Sequence, residues 1–309
     1  QLGEEINGEQ SYDFVGSGTS VSMSSDGSRV AIGAYGHDAN GSDSGHVRIF
    51  QYYLEYDRWI RIGDIDGEAA GDSSGHSVSL SSDGSRLAIG AYGNDGNGTN
   101  SGHVRIYEYS GGVTWNQVGD DIDGEAPYDT SGYSVSISSD GSRVAIGAPH
   151  NSGNGVYSGH VRVYEYSSGS WTQVGADIDG NTAPDYNYSG RSVSISSDGS
   201  RVAIGAFGNI PNGTLTGQTR VYEYSSGSWT QVGVDIDGEA ENDRSGHSVS
   251  LSSDGSRVAI GAYENDGNGT GSGHVRFYTL SSGETYQYAW DVDSGGAPSD
   301  GTYRATVAG

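Results

Sequence analysis

Three loops of this chain carry oxygen ligands at a spacing that suits a hard cation. His37-Asp38-Ala39-Asn40-Gly41, Asn94-Asp95-Gly96-Asn97-Gly98 and Asn265-Asp266-Gly267-Asn268-Gly269 each set an Asp and an Asn two residues apart beside Gly. Carboxylate and amide oxygens on a pliable backbone suit Ca2+, which takes roughly six to eight of them. Asp38, Asn40, Asp95, Asn97, Asp266 and Asn268 are the candidate calcium ligands. The matching loops Asn151-Ser152-Gly153-Asn154 and Asn209-Ile210-Pro211-Asn212 lack the carboxylate. Asn, Asp and Gly also make turns, which is the competing reading.

The same loops carry Asn-Gly-Ser/Thr at Asn40, Asn97, Asn212 and Asn268, and Asn187-Tyr188-Ser189 adds a fifth such triplet. In a eukaryotic secreted chain these are glycosylation acceptors; otherwise they are turns.

Other groups recur at fixed places. Asp123-Gly124-Glu125 with Asp129, and Asp237-Gly238-Glu239 with Asp243, form acidic clusters. These read as a solvated, charged edge that discourages strand-to-strand aggregation, with calcium bridging of Glu125 and Asp129 as the sharper alternative. His46, His103, His160 and His274 recur in step, with Gln218 in the remaining place. A ring of His suits a transition metal, but the Gln favours structural, hydrogen-bonded His. Trp59, Trp115, Trp171 and Trp229 also recur. Exposed aromatics stack on sugar faces, yet a fixed position favours packing between repeats. Catalysis needs a constellation unlike its surroundings. Nearly every acidic group here has counterparts in the other repeats, so no catalytic residues are assigned and the expectation is a chain that is not an enzyme.

Composition narrows the classes. The 309 residues include 53 Gly, no Cys, and 15 basic against 40 acidic residues, for a net charge of −25. Such a charge repels phosphate backbones and argues against nucleic-acid partners. The lack of Cys excludes disulfides and thiolate metal sites. No apolar run approaches the roughly 20 residues of a membrane helix.

The elements that must position these groups are strands. Ser-Val-Ser-x-Ser-Ser-Asp-Gly-Ser-Arg recurs with its Asp at Asp26, Asp83, Asp140, Asp198 and Asp254, every 56 to 58 residues. Within each period, apolar residues alternate with Ser, as expected of a half-buried strand. Asp-Gly marks a hairpin. A second strand such as Arg86–Ala91, a third such as His103–Tyr109 and a fourth such as Trp115–Asp123 follow. Four antiparallel strands repeated in tandem predict propeller blades. The fold class is all-β, a five-bladed β-propeller with repeats near 1–60, 61–116, 117–172, 173–230 and 231–283. Gln1–Gly8 matches Gln117–Gly124, so the N-terminal strand is expected to pair into the last blade and close the ring. Residues 284–309 break the repeat and read as a tail, either the start of an immunoglobulin-like domain or a strand capping the last blade.

Gly75-His76-Ser77-Val78-Ser79-Leu80 with the following Ala-Ile-Gly-Ala, and Gly147-Ala148-Pro149 with Gly159-His160-Val161-Arg162-Val163-Tyr164, resemble the FG-GAP repeat. That family includes the N-terminal propeller of integrin α chains. The likeness runs from residue 1 to about 283. It implies an extracellular chain engaged in adhesion or ligand binding, with calcium in many members. Their calcium loop joins the first and second strands. Here that hairpin is only Ser-Ser-Asp-Gly-Ser, too short to wrap a cation, so that site does not carry over. The five repeats also differ from the seven blades of integrins.

These readings predict a secreted or cell-surface module, processed from a longer precursor because Gln1 is not an initiator Met. Its expected partners are glycans, extracellular proteins or further copies of itself, held by multivalent contacts. The alternatives are a structural subunit of an extracellular filament or sheath and a calcium-dependent lectin, with a glycoside hydrolase least favoured.

Overall fold

The structure is a computed structural model and describes residues 2–8, 20–182, 186–211, 214–281 and 284–288. Its elements are strands, arranged as five antiparallel sheets. The first holds β1 (Ser20–Met23), β2 (Arg29–Ala34), β3 (His46–Tyr53) and β4 (Arg58–Asp66). The second holds β5 (Ser77–Leu80), β6 (Arg86–Ala91), β7 (His103–Gly111), β8 (Thr114–Gln117) and β9 (Ile122–Asp123). The third holds β10 (Ser134–Ile137), β11 (Arg143–Ala148), β12 (His160–Ser167), β13 (Ser170–Gln173) and β14 (Ile178–Asp179). The fourth holds β15 (Ser192–Ile195), β16 (Arg201–Ala206), β17 (Gln218–Ser225), β18 (Ser228–Gln231) and β19 (Ile236–Asp237). The fifth holds β20 (Ser245–Leu251), β21 (Arg257–Ala262), β22 (His274–Ser281) and β23 (Glu284–Tyr288). Among the described residues no helix is long and apolar enough to cross a membrane.

Each sheet is one blade, and first strands of successive blades touch, from β1 through β5, β10 and β15 to β20. The repeated Ser-Val-Ser explains this contact. The first Ser hydroxyl donates to a Gly carbonyl of the next blade, as in Ser77 to Gly132 at 2.8 Å. The second accepts a backbone N–H, as Ser79 does from Ile137 at 3.0 Å. Both bonds tie up groups that a strand edge would leave orphaned. The following Arg reaches the same way: Arg86 Nη1 donates to Gly141 O at 3.0 Å. Close approach needs glycine, since a Cβ on Gly90 would lie 2.0 Å from Gly132 O. Between the zipped blades sit apolar clusters such as Val104, Ile106, Val135, Ile137, Val144 and Ile146, each buried side chain stabilising by roughly 1.5–3 kcal/mol.

The Asp-Gly hairpins are closed by their own Asp. Ser24 Oγ donates to Asp26 at 2.7 Å and Ser28 N at 2.9 Å. These bonds hold the Asp26 carboxyl down at about 2, with the Ser24 hydroxyl contributing most. The recurring Trp packs between blades, as its fixed position implied: Trp171 Nε1 donates to Val118 O of the preceding blade at 2.7 Å.

Two expectations change. Each sheet begins at its Ser-Val-Ser strand, so blade boundaries fall between Asp66 and Ser77 and at the matching points, not at 61–116 and its successors. The fourth strand of the last sheet is β23, after residue 283, so that blade continues into the segment read as a tail; the remainder, 289–309, lies outside the described residues. Closure of the ring by the N-terminal strand is not shown, because β22 pairs with β21 and β23 and residues 2–8 enter no sheet. Val275 and Phe277 of β22 are 50 % and 47 % exposed, and Val21 and Met23 of β1 are also exposed. Their equivalents Val104, Ile106, Val78 and Leu80 are buried between blades.

Candidate functional site

One edge of the blades gathers the chemistry. Antiparallel pairing brings the end of each second strand, the start of the third and the start of the first to the same side. The loops between second and third strands and the connections between blades therefore share one face.

The candidate calcium ligands Asp38, Asn40, Asp95, Asn97, Asp266 and Asn268 are exposed there, each pair in its own loop. Their polar atoms shape those loops. Asp95 Oδ1 accepts Asn100 N at 2.7 Å, and Asp38 and Asp266 accept from Asp43 N and Gly271 N in the same way. Asn97 Nδ2 donates to Gly124 O at 2.8 Å and Asn40 Nδ2 to Gly67 O at 2.7 Å, tying loop to connection. The structure does not bring these residues together across blades.

The sequons divide. Asn40, Asn97 and Asn268 are exposed. Asn187 is fully buried, so in the folded chain it cannot serve as an acceptor, which corrects that assignment. Asn212 lies outside the described residues.

The acidic clusters are a solvated edge only in part: Asp123, Glu125 and Glu239 are exposed, whereas Asp129 and Asp243 are not. Asp129 is buried; its Oδ2 accepts Asn151 Nδ2 at 3.1 Å and Ala126 N at 2.9 Å. Glu125 reaches into the next blade, with Oε1 3.6 Å from Arg162 Nη1 and Oε2 3.9 Å from His160 Nδ1. The same Nδ1 also faces Asp177 Oδ2 at 3.7 Å. The preceding junction repeats this with Glu68, His103, Arg105 and Asp121. Burial, then Arg162, pushes the His160 imidazole below its ordinary range. Burial holds the Glu125 carboxyl up against Arg162, whereas the facing His103 imidazole holds Asp121 down. Three groups have ligand atoms close enough to hold a metal ion: His46 with Asp64 and Asp66, His103 with Glu68 and Asp121, and His160 with Glu125 and Asp177.

The same face carries an unbroken aromatic belt. It runs Tyr35–His76–Tyr92–Tyr133–His150–Tyr157, with neighbouring ring centroids 4.7–6.5 Å apart. It continues through Tyr188, Phe207, His247 and Tyr263. Arg191 lies over the Tyr133 ring at 4.4 Å and Phe207 at 5.7 Å, a cation–π arrangement. The residues come from just before the first strands and just after the second. A cleft of about 520 Å³ opens beside the belt, lined by Tyr128, Tyr157, His150, Asp129 and Glu125 among others. Tyr128 and Tyr186 are at least half exposed there. Sequence reasoning singled out Trp and missed this Tyr/His belt. The signal was the aromatic or Pro after each Gly-Ala, matched by His76, Tyr133, Arg191 and His247 before each Ser-Val-Ser.

Residues 64–107 and 234–276 match the family described as FG-GAP repeat. No curated protein matches the chain. Among solved structures it is similar to hydrazine synthase of Kuenenia stuttgartiensis, with a TM-score of 0.54, 13 % identity, and coverage of 84 % of this chain and 64 % of that one. The chain thus spans under two thirds of that relative. It is also similar to a periplasmic gluconolactonase of Pseudomonas aeruginosa, with a TM-score of 0.55, 16 % identity and coverage of 87 % and 71 %. At these identities the likeness is one of fold. Both neighbours are enzymes, so the expectation that the chain is not an enzyme does not stand: this fold carries catalysis in other proteins. The chain thus has the fold of a β-propeller, with two stretches that match the FG-GAP repeat.

Proposed function

We propose that the chain is an extracellular adhesion module that binds glycans through its aromatic face. The belt of Tyr, His and Phe with its flanking cleft carries this reading. Flat rings stack on the apolar faces of sugars, while the exposed Glu125 carboxylate at the cleft can accept hydrogen bonds from sugar hydroxyls. Several exposed rings along one face give multivalent, individually weak contacts whose avidity exceeds any one of them. A glycan array run in calcium and again in EDTA tests it, with Tyr128→Ala and Tyr157→Ala alongside. Binding weakened by both substitutions supports the reading. Loss in EDTA that Ca2+ restores adds a calcium requirement and points to the Asp95 and Asn97 type of loop. Absence of binding in both buffers rejects it. Chromatography of the incubated glycans reports any cleavage in the same cleft.

Ring closure belongs to this proposal. Residues 2–7 lie against the first blade as a fourth strand lies against the blade after it, and their free edge would meet β22. The exposed Val275, Phe277, Val21 and Met23 favour a second reading, in which the two ends of different copies meet and the chain builds a filament. Sedimentation over a concentration series separates them: a monomer at all concentrations supports closure, and growing oligomers support the filament.

A further inference from the structure

We infer that the blade junctions carrying His, Glu and Asp are divalent transition-metal sites of the zinc type. His103 is buried, and its Nε2 has no hydrogen-bond partner among the described residues. The ring's polar outlet is Nδ1, which faces two carboxylate oxygens, Asp121 Oδ2 at 3.5 Å and Glu68 Oε2 at 3.9 Å. Both distances exceed a good hydrogen bond. They lie near the about 3.3–3.6 Å that separates ligand atoms around a tetrahedral ion with bonds of about 2.0–2.2 Å. His160 repeats the arrangement with Asp177 at 3.7 Å and Glu125 at 3.9 Å.

The carboxylates are pre-oriented by neighbours. In both junctions Arg takes one Glu oxygen and leaves the other to His: Arg105 Nη1 lies 3.5 Å from Glu68 Oε1, and Arg162 Nη1 3.6 Å from Glu125 Oε1. Outer contacts of this kind fix a ligand's direction. The donor set is one imidazole nitrogen and two carboxylate oxygens. It suits Zn2+ or Co2+, whereas Ca2+ wants oxygen alone. Three protein ligands leave room for water, and the carboxylates are partly exposed, so an ion can enter from solvent.

The fourth blade serves as an internal comparison. There Gln218 replaces His, and its Nε2 donates to Asp235 at 3.0 Å and Asp237 at 2.9 Å. Its Oε1 accepts from Asn181, which stands where the His junctions have Glu, so Asp235 is the like-for-like carboxylate. Opposite imidazole the matching Asp121 and Asp177 stand back at 3.5 and 3.7 Å.

Calorimetric titration of the intact chain with Zn2+, and the visible absorption of a Co2+ titration, test the inference. Saturable binding is expected, with His103→Gln and His160→Gln each removing one equivalent. The Gln218 arrangement shows that this exchange is compatible with the fold, and circular dichroism of each variant checks it. Asp95→Asn, in the neighbouring loop, should leave the stoichiometry unchanged. No saturable binding overturns the inference, as does an unchanged stoichiometry in both folded His variants.

Discussion

The backbone carbonyl of Asn7 accepts a 2.9 Å hydrogen bond from Arg48 Nη2. Four later Arg residues make the same bond to the blade before them: Arg105 to Asp66 O, Arg162 to Asp123 O, Arg220 to Asp179 O and Arg276 to Asp237 O. Trp59 Nε1 likewise donates to Leu2 O, as Trp115 does to Ile62 O. Residues 2–7 thus occupy the place of a preceding fourth strand. Arg48→Met should therefore destabilise about as much as Arg105→Met, by roughly 1.5–3 kcal/mol for a charged hydrogen bond. Urea unfolding of both variants measures this. If removing residues 1–8 leaves the cost of Arg48→Met unchanged, the Asn7 contact contributes nothing.

The inter-blade zipper predicts two very different costs. Ser79→Ala removes the acceptor of Ile137 N–H at a partly buried site and should cost about 1–3 kcal/mol. Gly90→Ala puts a Cβ 2.0 Å from the Gly132 carbonyl, where backbone must move. Its cost should exceed that of Ser79→Ala and reach the range, above about 4 kcal/mol, reserved for severe lesions. Thermal unfolding of the two variants side by side checks the order.

Much of this is legible in the sequence. The 57-residue spacing, the Asp-Gly turns and the Ser alternation gave blades because each acts locally, through strand period and turn chemistry. The place of Trp171 between blades followed from its fixed position. What was hidden lies across junctions. Glu125 and Asp129 read as edge charges because their partners Arg162, His160 and Asn151 sit in the next blade, some 20 to 40 residues on. Asn187 read as a surface acceptor because a triplet says nothing about burial. The aromatic belt was invisible for the same reason: neighbouring members are 7 to 41 residues apart, and the belt joins up only when blades stand side by side.

Acid should weaken the fold through the belt histidines. His76 is packed among Tyr35, Tyr92 and Tyr133, with its Nδ1 3.1 Å from Tyr133 O. Burial, helped by nearby Arg191, lowers its pKa to about 4 from an ordinary 6.5. Above 6.5 neither folded nor unfolded chain protonates it, and its contribution is full. Between 6.5 and 4 the unfolded chain takes up the proton and the folded one does not, so stability falls as pH falls. The loss reaches about 3 kcal/mol. His150 and His247 are shifted in the same direction by burial and add to the slope. Urea unfolding at pH 7.5 and 4.5 should show the loss, and His76→Gln should reduce it. An equal loss in wild type and variant would remove His76 from the account.

Glycosylation offers a test that separates exposure from sequence. Asn97 heads its triplet at an exposed loop, with one amide hydrogen directed to Gly124 O and the side chain reachable from solvent. Asn40 and Asn268 occupy the matching loops and are exposed too. Asn187 is fully buried and follows the belt residue Tyr186, and a glycan on it would force the connection out of the fold. Expressed through a eukaryotic secretory pathway, the folded and secreted chain should carry glycans at Asn40, Asn97 and Asn268 and none at Asn187. Peptide mapping after enzymatic deglycosylation in heavy-oxygen water reads each site. Asn187→Gln should leave the glycan mass unchanged, whereas Asn97→Gln should remove one glycan. Substantial occupancy at Asn187 in folded protein would contradict the burial of that side chain and the seating of the connection between the third and fourth blades.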